Sequence, residues 1–269
     1  MSTMIDKYNS PATPLVHFVD RLRTAEIVWD PYPHYYLEHI FPADYYRALL
    51  DHLPESTVYQ NLYEVTDLKL DHFRYRQQRD LTEGWTKALP PGQKDFWDRF
   101  DRWFLGPELA GAVLASFAQP LRARLGDGEP WPEVSVESQL IRHRAGYFLG
   151  PHSDLHTKLV VLLLYLAPDR SGEHLGTSLY RPRDPEFSCP NSKHYSFEDF
   201  VRVKTAPYRP NSLLAFFRSD VSFHGLEKLS EQDITGSGRD LIQYTLHDKR
   251  ARKAQLQRRR LNAGERDAR

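Results

Sequence analysis

The sequence predicts an α+β protein in which a mainly helical first half is followed by a β-sandwich or barrel. Within residues 93–125, apolar side chains recur at the spacing of amphipathic helices. After a Gly- and Pro-rich break at residues 126–130, short apolar stretches of strand length alternate with turn residues. We expect one domain over residues 1–248, with residues 1–128 as mainly helical support and residues 129–248 as the β core.

The first half carries several further element predictions. Alternating aromatic residues and two prolines at 29–37 predict a strand. A helix is expected to begin within residues 41–44, where a proline precedes the first turn, and to stop at Pro54. Residues 55–82 have no clean period and are interpreted as a strand or lid. The long apolar stripe that follows is expected to form two helices that break near Gly106.

The second half contains most of the predicted strands. They are Glu133–Arg144, Gly146–Leu149, Lys158–Leu166, Gly176–Tyr180, Ser212–Phe217 and Arg239–His247. Between the fourth and fifth strands, residues 181–208 are rich in proline and polar residues. That segment is too long for a simple hairpin, so we interpret it as a functional loop or lid.

Composition limits the classes of function to be considered. The chain has 36 basic and 36 acidic residues, so its net charge does not indicate a nucleic-acid partner. A hydrophobic content of 40% with 13% aromatic residues fits a globular protein. The longest apolar run, residues 159–166, is far shorter than the roughly 20 residues of a membrane span, and it suits a buried strand.

A possible metal-ligand set combines residues from two distant segments. His152 and Asp154 follow an extended aromatic run, and side chains two apart on a strand point to the same face. A second histidine, His224, follows another apolar run. Two imidazoles and one carboxylate form the facial triad of open-sided Fe(II) sites. His156 is a rival ligand, since it shares the parity of the pair.

The cysteine content and the N-terminal sequence predict the cellular compartment of the protein. The single cysteine, Cys189, excludes an intrachain disulfide framework and is interpreted as an ordinary thiol rather than a nucleophile. The N-terminus lacks the charged-then-apolar pattern of a signal peptide. We therefore expect a cytoplasmic protein, and that reducing compartment suits a ferrous site.

The third piece of the pattern is Arg239, which begins a late strand and can clamp a carboxylate bidentately. In this order and spacing, the three ligand candidates and Arg239 resemble the Fe(II)/2-oxoglutarate-dependent dioxygenases, and within them the prolyl-hydroxylase-like branch. The resemblance covers roughly residues 134–248. It implies a double-stranded β-helix, or jelly-roll, with helices packed on one sheet.

The resemblance also implies chemistry. Such enzymes use Fe(II), 2-oxoglutarate and dioxygen to hydroxylate a C–H bond, with release of succinate and CO2. A carboxylate at Asp154 implies hydroxylation rather than halogenation, because related halogenases have a small residue there. The outer carboxylate of 2-oxoglutarate is expected to meet Arg239, with Tyr165 or Tyr147 beside it. Strand parity places Gln243 on the face of Arg239, where it can add a hydrogen bond.

The substrate is less defined by the sequence. The resemblance implies an amino-acid or peptide, sugar or other small-molecule substrate. Lys158 is a candidate for contact with an acidic group of cosubstrate or substrate, and Arg74 and Arg76 are candidates for contact with an anionic substrate. The alternative for each is a solvated surface residue. His174 and His194 are expected on loops, facing either solvent or substrate.

The C-terminal segment, residues 249–269, is strongly basic. It predicts either a helix that makes peripheral contact with an anionic membrane, or a solvated terminus. Together with Arg74 and Arg76 it favours, as an alternative substrate, an anionic sugar or glycolipid at the inner membrane surface.

A different class of protein also fits the triad. A cupin-like metal-binding jelly-roll can act as an isomerase or bind a ligand without 2-oxoglutarate. Arg239 discriminates between the two, because a cupin of that kind needs no cationic clamp deep in the barrel.

Overall fold

The chain folds into three layers: helices, a large antiparallel sheet and a small antiparallel sheet. The computed structural model describes residues 12–67, 69–189, 193–234 and 238–257. One apolar core lies between the helices and the large sheet, and a second lies between the two sheets. No helix in the described part of the chain has the length and apolar character needed to cross a membrane.

The elements follow one another with short connections. The helices are α1 (Ala12–Arg23), α2 (Ala43–Asp51), α3 (Leu62–Val65), α4 (Pro91–Phe104), α5 (Pro107–Ser116) and α6 (Ala118–Leu125). The strands are β1 (His34–Glu38), β2 (Gln60–Asn61), β3 (Arg76–Asp80), β4 (Val134–His143), β5 (Leu149–His152), β6 (Lys158–Tyr165), β7 (Thr177–Pro182), β8 (Phe200–Ala206), β9 (Ser212–Phe217), β10 (His224–Leu226) and β11 (Arg239–Asp248). Residues 249–257 form a further helical segment, called here the C-terminal helix.

The two sheets together form a jelly-roll. The large sheet has the order β1-β9-β6-β11-β4-β3-β2, and the small sheet has the order β5-β10-β7-β8. From β4 onward the chain passes between the sheets repeatedly, so strands distant in sequence become neighbours. The sequence prediction of an α+β jelly-roll with N-terminal helices on one sheet is confirmed.

The helical layer covers the outer face of the large sheet because its apolar side chains recur on one side of each helix. On α4, Trp97, Phe100 and Phe104 are fully buried. The ring of Phe104 meets the ring of Tyr244 on β11 edge-on, with 5.0 Å between centroids. The aromatic stripe of α4 is therefore part of the core, and it packs the helical layer against the large sheet.

Strand β6 is apolar at nearly every position because it is buried on both faces. Its odd and even residues lie in different cores: Leu162 packs towards the helices and Leu163 towards the small sheet. An antiparallel strand with one solvent-exposed face would instead alternate apolar and polar residues. The uninterrupted apolar run in the sequence thus reflects the position of β6 in the middle layer of the fold.

Four sequence predictions are corrected by the structure. Helix α1 occupies a polar, proline-broken stretch for which no element was expected, and it buries Phe18 and Leu22. The two helices expected after residue 93 are three, since the chain turns again at Phe117. Residues 71–75 form a 3-10 helix before β3. The strand expected at residues 29–37 begins only at His34.

The expected loop at residues 181–208 is only partly a loop. Its end forms β8, the edge strand of the small sheet, and β7 reaches into its beginning. Its charged residues and the prolines of the surrounding segment hid this strand, because an edge strand tolerates charges on its solvent side. The short strand β10 was also missed, since three residues leave no readable period. Residues 190–192 lie outside the described part of the chain.

A partly buried carboxylate in the helical layer gives a test of the fold. Asp101 on α4 accepts a hydrogen bond from Nε1 of Trp85 at 2.5 Å, while its Oδ1 is buried without a described partner. Burial raises the pKa of Asp101 from 3.8 to about 6. Because this pKa exceeds the unfolded value, the stabilising contribution of the protonated group is present at low pH and is lost as the pH rises through about 6.

Replacing Asp101 by asparagine is expected to raise the free energy of unfolding by roughly 2 kcal/mol at about pH 8, and by roughly a third as much at about pH 4.5, which lies between the unfolded and folded pKa values. Urea unfolding at both pH values measures the difference. Asp95→Asn is the matched control, an exposed carboxylate on the same helix. A gain of equal size at both pH values would show that ionisation of Asp101 does not cause it.

Candidate metal centre and its cavity

Two histidines are brought together by direct strand pairing. His152 at the end of β5 is the cross-strand partner of His224 at the start of β10. Their ring centroids are 4.3 Å apart. The strands approach closely because Gly225 has no side chain; a Cβ there would lie 2.5 Å from the carbonyl oxygen of Leu149. The pairing across 72 residues of chain thus depends on a glycine that the sequence places next to His224.

Asp154 completes a three-ligand cluster. The candidate ligand atoms of His152, Asp154 and His224 all lie within 4.8 Å of one another, and no other such group occurs in the described part of the chain. Nε2 of His224 is 3.6 Å from Oδ2 of Asp154. All three side chains are buried.

The orientation of both rings suits metal binding through Nε2. Nδ1 of His152 is hydrogen-bonded to the carbonyl oxygen of Gly150 at 3.0 Å, and Nδ1 of His224 to that of Ser222 at 3.1 Å. If each Nδ1 donates its proton, each Nε2 is left with a free lone pair, and the rings are held in position.

The electrostatics of the cluster also favour a cation. Burial lowers the pKa values of both histidines, so the imidazoles are neutral at physiological pH. Burial alone would raise the pKa of Asp154, but the charge of Lys158 and its hydrogen bond act in the opposite direction, and the pKa lies well below its ordinary value. Neutral imidazoles and an ionised carboxylate are the protonation states that ligate a metal.

Two cationic side chains contact Asp154 on the side away from the two histidines or at its main chain. Nζ of Lys158 lies 2.7 Å from Oδ1 of Asp154, which leaves Oδ2 facing the histidines. Nε of the buried Arg218 donates to the main-chain carbonyl of Asp154 at 2.9 Å. Lys158 was expected at an acidic group of substrate or cosubstrate; the structure pairs it with Asp154.

A cavity of about 620 Å³ opens next to the three ligands, between the sheets. It is lined by His152, Asp154 and His224, and also by Arg239. Arg239 is 2% exposed, and no carboxylate of a described residue lies within ion-pair distance of it. A buried guanidinium without a counter-charge is costly, so this position indicates an anionic ligand.

The donors of Arg239 are partly occupied. Nε donates to the carbonyl of Leu175 at 2.6 Å, one terminal nitrogen to Nδ1 of His143 at 3.0 Å, and the other to Oγ1 of Thr177 at 3.4 Å. A guanidinium has five N–H groups, so two remain for a carboxylate. The cation also lies over the rings of Tyr165 and Tyr208, at 5.3 and 5.0 Å.

The other expected cosubstrate contacts lie around Arg239. Tyr147 lines the cavity, and its buried hydroxyl has no described hydrogen-bond partner. Gln243 lines the cavity four residues along the strand from Arg239, on the same face. Tyr165 is placed differently: its ring lies beside the guanidinium, and its hydroxyl accepts the backbone N–H of Thr177 at 3.2 Å.

The remaining site candidates divide into those in the cavity and those outside it. Arg76 and His194 line it. The side chain of Arg74 is 55% exposed, with its guanidinium over the ring of Tyr63, and it does not line the cavity. His156 is exposed and takes no part in the ligand cluster, which removes it as the rival ligand. His174 is exposed and pairs with Asp233 at 2.8 Å.

Several solved structures are similar to this chain. The chain is similar to a prolyl-4-hydroxylase from Pseudomonas putida at 17% identity, covering 87% of this chain and 98% of that one, with a TM-score of 0.45. It is also similar to an oxidoreductase of the 2OG-Fe(II) oxygenase family from Burkholderia pseudomallei, at 12% identity, covering 87% and 90%, with a TM-score of 0.43.

HygX from Streptomyces hygroscopicus, solved with nickel and 2-oxoglutarate bound, matches at 13% identity, covering 86% of this chain and 87% of that one, with a TM-score of 0.41. No protein-family model matches the chain, and no curated protein matches it. The inference about function therefore rests on the side chains themselves.

Several residues of the cavity were missed by sequence reasoning. His143 on β4 stacks on Tyr147, with 4.1 Å between centroids and 6° between planes, and its Nε2 is buried without a described partner. Thr177 and His247 also line the cavity. The pKa of His247 is lowered to about 3, mainly by burial and then by Arg252 and Lys158. Only the inward parity of β4, β7 and β11 could have indicated these residues.

The C-terminal helix forms part of the cavity rim. Arg252, Gln255 and Leu256 line it, and Arg252 pairs with Glu137 at 2.6 Å. The predicted basic tail is therefore an ordered part of the site over residues 249–257. Residues 258–269 lie outside the described part of the chain.

Proposed function

We propose that the protein is a non-haem Fe(II)- and 2-oxoglutarate-dependent dioxygenase that hydroxylates a C–H bond of its substrate. One observation supports this above the others: the three-ligand cluster opens onto the same cavity as a buried arginine that has no described counter-charge. A metal centre alone requires no such cation. A dicarboxylate beside the metal does, since one carboxylate meets the metal and the other needs a positive partner.

The ligand set fits the proposed metal. His152, Asp154 and His224 offer two nitrogen atoms and one oxygen atom on one side of a cation, as in open-sided ferrous sites. With iron and 2-oxoglutarate bound, the site supplies oxidation of a C–H bond by dioxygen, with release of succinate and CO2. The role of the chain is to bind, orient and exclude water.

The cosubstrate pocket fits a dicarboxylate. Arg239 directs its remaining N–H groups to the outer carboxylate, and the unpartnered Tyr147 hydroxyl lies close enough to the arginine to affect its pKa. Tyr165 and Thr177 hold each other and the guanidinium in position. Gln243 adds a polar group on the same face of β11.

Lys158 holds the outer oxygen of the metal-binding carboxylate. Its 2.7 Å contact with Oδ1 of Asp154 favours one-oxygen coordination through Oδ2. One-oxygen binding leaves more of the metal open for cosubstrate and dioxygen. Such outer partners commonly affect metal affinity or activity by about 10- to 100-fold.

For the substrate, we propose an amino-acid or peptide, sugar or other small molecule, hydroxylated in the space between the ligand cluster and the C-terminal helix. The cationic groups near the mouth, Arg76 and Arg252, also support the alternative of an anionic sugar or glycolipid. Peripheral contact of the basic tail with an anionic membrane remains part of that alternative proposal. A cupin-like isomerase or binding protein is less well supported, since neither needs a buried cation at the position of Arg239.

Anaerobic titration of the protein with Fe(II) and then 2-oxoglutarate tests the proposal. A weak visible absorption band is expected only when both are present, because it arises from direct coordination of the keto acid to the metal. Addition of air with a panel of candidate substrates should then release succinate. Binding of Fe(II) without any spectral response to 2-oxoglutarate would instead favour the cupin-like alternative.

A further inference from the structure

Four cationic side chains of Lys and Arg line the cavity: Arg76, Lys158, Arg239 and Arg252. Two of the four have carboxylate partners. Lys158 is paired with Asp154, and Arg252 with Glu137. Among the described residues, no carboxylate lies within ion-pair distance of Arg76 or Arg239. If 2-oxoglutarate occupies Arg239, Arg76 is the cation left over.

Arg76 and Arg239 lie in one row across the large sheet. His143 on β4 is the register partner of both, with Arg239 on one side and Arg76 on the other. Side chains in one such row point to the same face, and neighbouring strands are about 4.8 Å apart. The two guanidiniums therefore belong to one wall of the cavity, about two strand spacings apart at the backbone.

The side chain of Arg76 is held in place but not satisfied. One terminal nitrogen donates to Oε1 of Gln139 at 3.2 Å, and Nε2 of Gln139 donates in turn to Asp80 at 2.7 Å. Nε of Arg76 is buried and has no described hydrogen-bond partner. A buried charged donor without an acceptor is unfavourable, so this group is prepared for an acceptor that enters the cavity.

His194 lines the same cavity as Arg76 and lies beside the ligand cluster. Its ring centroid is 4.9 Å from that of His152. The segment is fixed to β5, since the N–H of Tyr195 donates to the carbonyl of Pro151 at 3.0 Å. A Cβ on Gly150 would lie 2.5 Å from the carbonyl oxygen of Tyr195, so only glycine allows this approach.

We propose that Arg76 and His194 form a second oxyanion subsite, which binds a carboxylate or phosphate group of the substrate beside the metal centre. This deepens and rests on the proposed function, because it assumes that Arg239 is taken by 2-oxoglutarate. The subsite selects small molecules that carry an anionic group a short distance from the oxidised carbon. Neutral analogues lack the group that satisfies Nε of Arg76.

Titration calorimetry with inorganic phosphate and, separately, acetate tests the subsite. The full chain is loaded with Mn(II), which does not support turnover, and saturated with 2-oxoglutarate so that Arg239 is occupied. Arg76→Gln is expected to weaken binding of the preferred anion by about 10- to 100-fold. Preference for phosphate or for acetate identifies which anionic group the substrate carries.

Arg74→Gln is the matched control, because Arg74 is two residues away but lies outside the cavity. It should leave anion affinity within about twofold of the wild type. His194→Phe is the second variant, for the case that Arg76→Gln does not fold, and it should weaken anion binding several-fold. Unchanged affinity in the folded variants, equal losses at Arg74 and Arg76, or no binding of either anion would overturn the subsite.

The same titrations keep the two proposals apart. Arg76→Gln should leave the affinity for 2-oxoglutarate within about twofold of the wild type, since Arg239 is unchanged. Failure of 2-oxoglutarate to bind the wild-type protein would refute the proposed function. Loss of anion binding in both Arg76→Gln and Arg239→Gln would show that the two arginines form one anion site, and would overturn a separate second subsite.

Discussion

His152→Ala is expected to abolish both Fe(II) binding and 2-oxoglutarate turnover. The substitution removes one of three ligands from a cluster whose donor atoms lie within 4.8 Å of one another. Mutation of a residue that only hydrogen-bonds to a metal ligand commonly lowers metal affinity or activity by about 10- to 100-fold. Loss of a ligand itself should therefore lower them by more. Anaerobic Fe(II) titration and succinate release measure the two effects separately.

His156→Ala is the control for this variant. His156 lies two residues beyond Asp154 and is exposed, so its loss should leave Fe(II) affinity and turnover unchanged. Asp154→Ala should behave like His152→Ala in both assays. Retained turnover in either ligand variant, with loss in His156→Ala, would move the metal to a different set of side chains.

Arg239→Gln is expected to raise the 2-oxoglutarate concentration required for turnover by about 100-fold, because charge-assisted hydrogen bonds to the outer carboxylate are lost. Glutamine also removes the buried charge, so the metal-free fold should tolerate the change. The thermal shift that 2-oxoglutarate produces in the Mn(II)-loaded protein should disappear in the variant. Fe(II) affinity should remain near that of the wild type.

Arg239→Lys separates charge from geometry. Lysine keeps a cation but cannot present the planar fork, so an intermediate requirement for 2-oxoglutarate is expected. If Arg239→Gln and the wild type need the same concentration, the guanidinium serves only the packing around Tyr165 and Tyr208, and the dicarboxylate must bind elsewhere.

Much of the fold follows from local pattern. The apolar run of β6 predicted a buried strand, and the stripe of α4 predicted a helix packed on a sheet. Elements at the edges were harder to predict. Strand β8 has a burial pattern dominated by exposed positions, and α1 buries only part of its length, so neither carries a strong period.

Residue types and strand parity were readable at the site, and neighbours across strands were not. The sequence placed Arg239 and Gln243 on one face, and both line the cavity. It offered no sign that His143 lies beside Arg239, because that contact joins residues 96 positions apart. The pairing of Lys158 with Asp154 also went unpredicted, since the turn after β5 is irregular.

The sequence by itself determined the chemistry on offer: two imidazoles, a carboxylate and a guanidinium at strand ends, in an order that resembles one class of oxygenase. Only the tertiary structure decided which other side chains join them. Register across β11, β4 and β3 brings Arg76 into the wall that holds Arg239, and the approach of residues 194–195 to β5 brings His194 beside His152. The reason is physical: local pattern sets which face of a strand is apolar, whereas pairing between distant strands is set by how whole layers pack.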